Sequence, residues 1–308
     1  MLLDKPVGIS SNGALQRVRR AFSAAKAGHV GTLDPLASGM LPICLGEATK
    51  FSADAAAADK TYIAEVLLGV TTATGDAEGE ILTRVPVSVT RAMVEGVLPR
   101  FTGIIAQIPP MYSALKRDGK PLYAYARAGE TVAREPRQIT VFRLELTDFD
   151  ECRFTILVDC SKGTYIRVLA EDIGAALGCG ATLAGLRRTR VGSLSLEQAV
   201  TLAELETAQP HDRLRNLLPM DLLVRNLLVE RLDAEMAARL AMGQIGSARS
   251  VDSPGTVRLY DSNGFFLGLG EVHLDGRLTA KRLVATGENT VRDAYFSQTP
   301  KIVEKVID

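Results

Sequence analysis

The chain has 308 residues, 46% of them hydrophobic and 23% charged, which is enough apolar material for a substantial core and room for about two domains. Its 36 basic and 36 acidic residues cancel, so overall charge announces no nucleic-acid partner, and any such surface must come from local clustering. Cys44, Cys152, Cys160 and Cys179 show neither CxxC pairs nor ligand spacing, no run of about 18 apolar residues reads as a membrane span, and the opening MLLDKPVGIS lacks the basic end and long apolar run of a signal peptide; these features point away from a disulfide framework, a zinc site and a membrane protein, and toward the cytoplasm.

GALQRVRRAFSA (13–24) places Leu15, Val18 and Phe22 at helical spacing, with Arg17, Arg19 and Arg20 on other faces, and predicts a short amphipathic helix with a basic side. Glycines punctuate GHVGTLDPLASGMLPICLGEATKF (28–51), whose first half holds a single acid, Asp34. The following Pro35 biases Asp34 toward extended backbone, so the carboxylate sits on a stiff loop between Leu33 and Leu36. TYIAEVLLG (61–69) reads as a strand with Tyr62 on the face of Ala64, Val66 and Leu68, and TTATGDAEGE (71–80) carries turn chemistry. VTRAMVEGVLPRF (89–101) reads as a helix. RQITVFRLELTDFD (137–150) and RFTILVDC (153–160) alternate well enough to be paired strands. After Ser161-Lys162-Gly163 a helix follows, with Ile166, Leu169, Ile173 and Leu177 as its apolar stripe and Gly178-Cys179-Gly180 as its stop. Residues 200–222 read as helix and linker. From about 226 the character changes to one helix and then short strands with turns at Ser262-Asn263-Gly264 and Asp275-Gly276, a small and mostly β domain.

The segment 106–137 sets six basic residues (Lys116, Arg117, Lys120, Arg127, Arg134, Arg137) against three acids, with Tyr112, Tyr123 and Tyr125 interleaved. Cations mixed with aromatics suit a surface that meets phosphates and stacks on bases, although a solvated loop and helix has the same composition. Arg167 lies off the apolar stripe of its helix. It has two readings: a surface pair with Glu171 at i+4, worth little, or a fixed cation that keeps a reactive carboxylate ionised by lowering its pKa. Tyr62 alone reads as a core residue, and His29 beside Gly28 as an ordinary loop residue.

In order and spacing the motifs resemble the TruB-type tRNA pseudouridine synthases, which act on uridine 55 of the T-loop. LLDKPVGISS (2–11), the Asp34 stretch, KTYIAEVLLGVTTATGDAEGE (60–80), IPPMYSALKRDGKPLYAYARAGE (108–130), CSKGTYIRVLAEDIG (160–174) and LRRTRVG (186–192) carry the likeness over about residues 2–222. Val30 and Ser38 stand where the family often has threonine, and neither touches a reactive group. The resemblance implies an α+β pseudouridine synthase fold, with a mixed, largely antiparallel central sheet flanked by helices and loops. It assigns 1–222 to the catalytic domain with an RNA-gripping insertion at about 106–137, and 226–290 to a PUA-like domain; the tail 291–308 has no counterpart.

The same resemblance makes Asp34 the essential carboxylate, either a nucleophile or a general base at the 2′ position. Arg167 becomes its partner, and Tyr62 a ring that stacks on the target uracil and assists proton transfer at C5. Tyr165 and Leu186 line the base pocket, Asp76 sits near the target nucleotide, and Lys5 supports the floor or touches substrate. His29 fills the space the extruded base leaves, and Lys116, Arg117, Lys120 and Arg127 meet tRNA phosphates. The implied isomerisation needs no cofactor or metal, and a monomer acting on the tRNA T-stem-loop without an obligate protein partner is expected. A tRNA-folding chaperone without turnover is the alternative. A nucleoside hydrolase is weaker, because no second carboxylate forms the usual pair.

Overall fold

The structure, a computed structural model, describes residues 1–248 and 254–285, so the tail 291–308 and the end of the 226–290 span lie outside the described residues. The chain divides into two compact units, Met1–Leu223 and Val224–Asp308.

The first unit is built on a ten-stranded sheet. Its early strands are β1 (Leu2–Lys5), β2 (Ala27–His29), β3 (Ala37–Leu45) and β4 (Lys60–Leu68). A separate hairpin follows, β5 (Val70–Thr72) with β6 (Ile81–Arg84). The sheet resumes with β7 (Gly103–Gln107), is interrupted by the small hairpin β8 (Lys116–Arg117) and β9 (Lys120–Pro121), and continues with β10 (Arg137–Asp150) and β11 (Arg153–Cys160). It ends with β12 (Ala181–Val191), β13 (Leu194–Ser195) and β14 (Val200–Thr201). The order across the sheet is β14-β1-β3-β12-β4-β11-β10-β7, with β2 on β3 and β13 on β12. Only β1–β14 and β3–β12 run parallel, so the sheet is mixed and largely antiparallel, as the resemblance implied.

Alternation explains the layers. Along β4, Tyr62, Ala64, Val66 and Leu68 are buried while Ile63 is exposed. That face packs on α1 (Ser11–Ala21), through Ala14, Leu15 and Val18, and on a helix after β11, Ile166–Ala176, through Ile166, Leu169, Ala170 and Ile173. Leu177 caps the second helix from a partly buried position. Near β1 and β3 both faces are covered: Leu3, Leu41 and Ile43 join that core, whereas Leu2, Met40 and Cys44 enter a smaller cluster with Val30, Ala55 and Val191. Helix α1 starts where the Ser10 hydroxyl accepts from Gly13 N. The predicted helix at 89–101 is α-helical over Arg91–Val97 and tightens to 3₁₀ over Leu98–Phe101, where Pro99 cannot donate.

The second unit has a five-stranded sheet whose central strands are Gly255–Tyr260, Phe266–Val272 and Arg277–Leu283, turning at the two predicted places. The helix Ala234–Ala241 covers it, and Leu240, Val257, Leu259, Val272 and Leu278 form its core. Among the described residues no helix is long and apolar enough to cross a membrane.

Candidate active site

The loop carrying Asp34 is pinned on both sides. The Ser11 hydroxyl accepts from Leu33 N at 2.7 Å and donates to Leu33 O at 2.8 Å, and Gly8 N donates to Pro35 O at 2.8 Å. Ala37 N closes the turn on Asp34 O at 3.1 Å. A side chain on so constrained a backbone loses little freedom when it engages a ligand.

Arg167 reaches Asp34 from the first turn of the Ile166–Ala176 helix, with Nη2 at 3.1 Å from Oδ2. The arginine side chain is 7% exposed and the aspartate 42%, so the cation is fixed in protein and the carboxylate faces outward. Arg167 also donates to Thr74 O at 2.9 Å and to Tyr112 O at 2.7 Å, and its Nε lies 3.7 Å from Asp76 Oδ2. Asp76 is itself buried and held by the Thr74 hydroxyl and Glu78 N, so it both closes a turn and backs the arginine. The surface pair with Glu171 is not what forms; the Glu171 carboxylate packs against Gly75 instead.

One electrostatic expectation is corrected. Arg167 does pull the Asp34 pKa down, but desolvation outweighs it, and the net shift is upward from 3.8. Asp76 adds to the rise and Lys5 opposes it. Lys5 is fully buried and donates to Pro6 O and Ile9 O at 2.8 and 2.7 Å. Burial lowers it from 10.5 to about 8, against the pull of Asp34.

Tyr62 lies within electrostatic reach of Asp34, and burial raises its phenol, which is 9% exposed. Leu186 pairs across strands with Ala64, on the Tyr62 face, and borders a groove of about 550 Å³ with Gly8, Leu36, Ser38 and Glu78. Tyr165 is the residue before the Arg167 helix and is half-buried, its phenol raised by desolvation. His29 proves to be a strand residue, because β2 pairs with β3 through His29 and Ile43. Its pKa is lowered by burial and then by Arg188, and its Nδ1 is buried without a hydrogen-bond partner.

Lys116, Arg117, Lys120 and Arg127 are exposed and do not join this cluster. They make contacts within the insertion: Lys120 Nζ lies 4.2 Å from the Tyr125 ring centre, Arg127 5.6 Å from that of Tyr123, and Arg117 donates to Ala133 O. The insertion meets the Asp34–Arg167 pair instead through backbone, at Tyr112 O.

Two further residues were not singled out by sequence. Gln107, 2% exposed at the end of β7, brackets Tyr165: its Nε2 donates to Tyr165 O at 3.2 Å and its Oε1 accepts from Tyr165 N at 3.0 Å. Arg188, 1% exposed, donates from Nε to Met40 O at 2.7 Å and from Nη2 to Gly31 O at 2.9 Å and Val30 O at 3.4 Å. Its signal was present in LRRTRVG, since period-2 alternation puts Arg188 on the face of Leu186.

The site is thus a half-exposed carboxylate on a pinned loop, paired with a buried arginine beside a mixed sheet. The fold aligns with a chain of a Cbf5–Nop10–Gar1 complex (TM-score 0.67, 26% identity, 88% of this chain and 77% of that one) and with one of an archaeal box H/ACA Nop10–Cbf5 complex (0.66, 26%, 88% and 77%). Residues 19–166 match the TruB family pseudouridylate synthase N-terminal domain, 167–225 the tRNA pseudouridylate synthase B C-terminal domain, and 230–284 the pseudouridine synthase II TruB C-terminal region. The chain belongs to the TruB family of pseudouridine synthases. It is 54% identical over 293 residues to tRNA pseudouridine synthase B of Burkholderia mallei, covering 93% of this chain and 97% of the relative. It is 52% identical over 284 residues to that of Methylobacillus flagellatus, covering 92% and 94%.

Proposed function

We propose that this synthase converts uridine 55 in the T-loop of tRNA to pseudouridine, with Asp34 as its essential carboxylate. The tRNA substrate rests on the relatives, named tRNA pseudouridine synthase B. The observation that carries the role of Asp34 is its 3.1 Å contact with a buried Arg167 while its own side chain stays open.

The reaction breaks the N1–C1′ bond, turns the base and joins C5 to C1′. Two routes use Asp34 differently, as a nucleophile or as a base at the 2′ position, and both need the ionised carboxylate. Desolvation works against ionisation, and Arg167 with Lys5 works for it. Tyr62 on β4 and Leu186, diagonal to it on β12, form the surface against which the turned base rests. The uridine must leave the folded loop to reach them, and the planar ring of His29 replaces part of the stacking it loses. The exposed cations of 116–127 hold the stem-loop by its phosphates, and shape rather than a groove code carries recognition.

The test uses an unmodified T-arm stem-loop tritiated at uracil C5. Wild type should release tritium, and Asp34→Asn should bind the RNA with similar affinity and release none. Binding without release by wild type would establish a tRNA-binding chaperone instead. Release by Asp34→Asn would remove the carboxylate from the mechanism.

A further inference from the structure

Gln107 ends β7 with its side chain buried, and both ends of its amide are spent on one residue. Oε1 accepts from Tyr165 N at 3.0 Å, and Nε2 donates to Tyr165 O at 3.2 Å. The partner dictates the amide's orientation: a backbone N–H only donates and a carbonyl only accepts, so a flipped amide would set like against like at both contacts. A buried amide is costly to desolvate, and a methionine of similar length would fill the space without that cost. What the amide adds is a fixed place for the Tyr165 peptide.

That place matters because Tyr165 is the N-cap of the Ile166–Ala176 helix, and its own side chain makes no capping hydrogen bond. Its carbonyl also accepts from Leu169 N at 3.1 Å, so Gln107 holds the residue on which the first helical turn closes. Gln107 is anchored in turn by its pairing with Arg137 on β10. Arg167 is the second residue of the helix, and the contact of its guanidinium with Asp34 is only 3.1 Å long. A first turn that frays or slides by about an ångström breaks such a contact. Asp34 is held by the same device: the buried Ser11 hydroxyl both donates to Leu33 O and accepts from Leu33 N. Each member of the pair thus follows a residue whose backbone N–H and C=O are both taken by one buried side chain.

We propose that Gln107 is a positioning residue: by bracketing the Tyr165 peptide it sets the first turn of the helix so that Arg167 meets Asp34.

This inference rests on the active-site reading above, and the experiment separates the two. Single-turnover rate constants for tritium release at saturating RNA are measured across pH for wild type, Asp34→Asn, Gln107→Met, Arg167→Gln and the Gln107→Met/Arg167→Gln double variant, with circular dichroism and RNA affinity alongside. A silent wild type or an active Asp34→Asn would overturn the active-site reading itself. Given wild-type release and an inert Asp34→Asn, Gln107→Met should slow release by at least about tenfold, as expected for a misplaced catalytic group. Its acid limb should also move to higher pH. Arg167 and Lys5 hold the Asp34 pKa down against burial and Asp76, so a displaced Arg167 lets it rise. The double variant should be no slower than Arg167→Gln within about twofold, because residues acting through one group are non-additive. A merely structural Gln107 would lower the rate without moving the limb and would multiply its effect onto that of Arg167→Gln; either result overturns the proposal. A normal rate at saturation with weakened RNA binding overturns it too, since Gln107 would then serve only the root of the insertion. If Gln107→Met fails to fold, Gln107→Asn takes its place, since it keeps the amide but is one methylene too short to reach both Tyr165 atoms. Failure of both to fold would make Gln107 a folding residue and overturn the proposal.

Discussion

At the scale of single residues the site is a contest between burial and charge. Desolvation raises Asp34 above 3.8, and Arg167 is the largest influence opposing that rise. If the reactive form is ionised, the acid limb of the single-turnover rate lies above 3.8, and Arg167→Gln lowers the rate and moves the residual limb to higher pH; a limb that stays in place would show that Arg167 does not act on Asp34. Stability follows with its own sign. A native state that raises a carboxyl pKa binds its proton more tightly than the unfolded chain does, so ionisation costs stability, fully above the folded pKa and not at all below the unfolded one. Asp34→Asn should therefore melt above wild type at pH 7, and the gap should close as pH falls toward 4; a gap independent of pH would assign it to something other than the charge. Gly39 bears on the same site through space rather than charge. Its φ is +100°, and a Cβ there would meet Arg188 O at 2.2 Å and Arg188 N at 2.9 Å, backbone atoms of a strand that cannot yield. Gly39→Ala should cost at least about 2 kcal/mol in urea unfolding of the catalytic unit and abolish most activity, since strain and overpacking add; a neutral result would mean that β3 and β12 separate freely.

Among the elements, the insertion shows how recognition and chemistry are joined. Its outward cations sit on the hairpin β8–β9 and on the helix Leu122–Arg127, whereas its inward contacts include the Tyr112 carbonyl on Arg167 and the Gln107 amide on Tyr165. Neutralising Lys116, Arg117 and Lys120 together should weaken tRNA affinity and reduce the salt slope by about two, at roughly 0.7–0.9 per lost phosphate contact, with the rate on saturating RNA little changed; an unchanged slope would take this hairpin off the phosphates. Element geometry also explains what sequence could reveal. The strands at 61–69 and 153–160 and the helix from Ile166 were legible because one face of each is buried with an unbroken period, whereas 137–150 buries only Ile139 and Val141 before two bulges break its period. β2, β8 and β9 were not, because two or three residues carry no period and exist only through their partners. Arg188 escaped notice because three arginines crowd LRRTRVG, and the pairing with β4 is what shows which one faces inward. The Asp34–Arg167 pair spans two distant motifs, and neither local reading favoured it; only the resemblance joined them, and the 3.1 Å contact is what the fold adds.

For the molecule as a whole, the division of labour follows from two separate cores. Every residue of the Asp34 cluster, together with the insertion, falls in Met1–Leu223, while the second unit closes its own core around Leu240, Leu259 and Leu278. A unit with its own buried core can fold alone. Residues 1–223 expressed by themselves should therefore give a cooperative unfolding transition and release tritium from the T-arm stem-loop at a single-turnover rate close to that of the full chain. The zero net charge makes no general attraction for RNA available, so affinity has to come from placed contacts. If the second unit holds tRNA outside the T-arm, its removal should weaken binding of whole tRNA by tenfold or more, at about 1.4 kcal/mol per factor of ten, and leave the affinity for the isolated stem-loop nearly unchanged. Titrating both RNAs against both proteins decides the matter: equal losses on the two RNAs would place the second unit's contact on the T-arm itself, and no loss on either would deny it a part in binding.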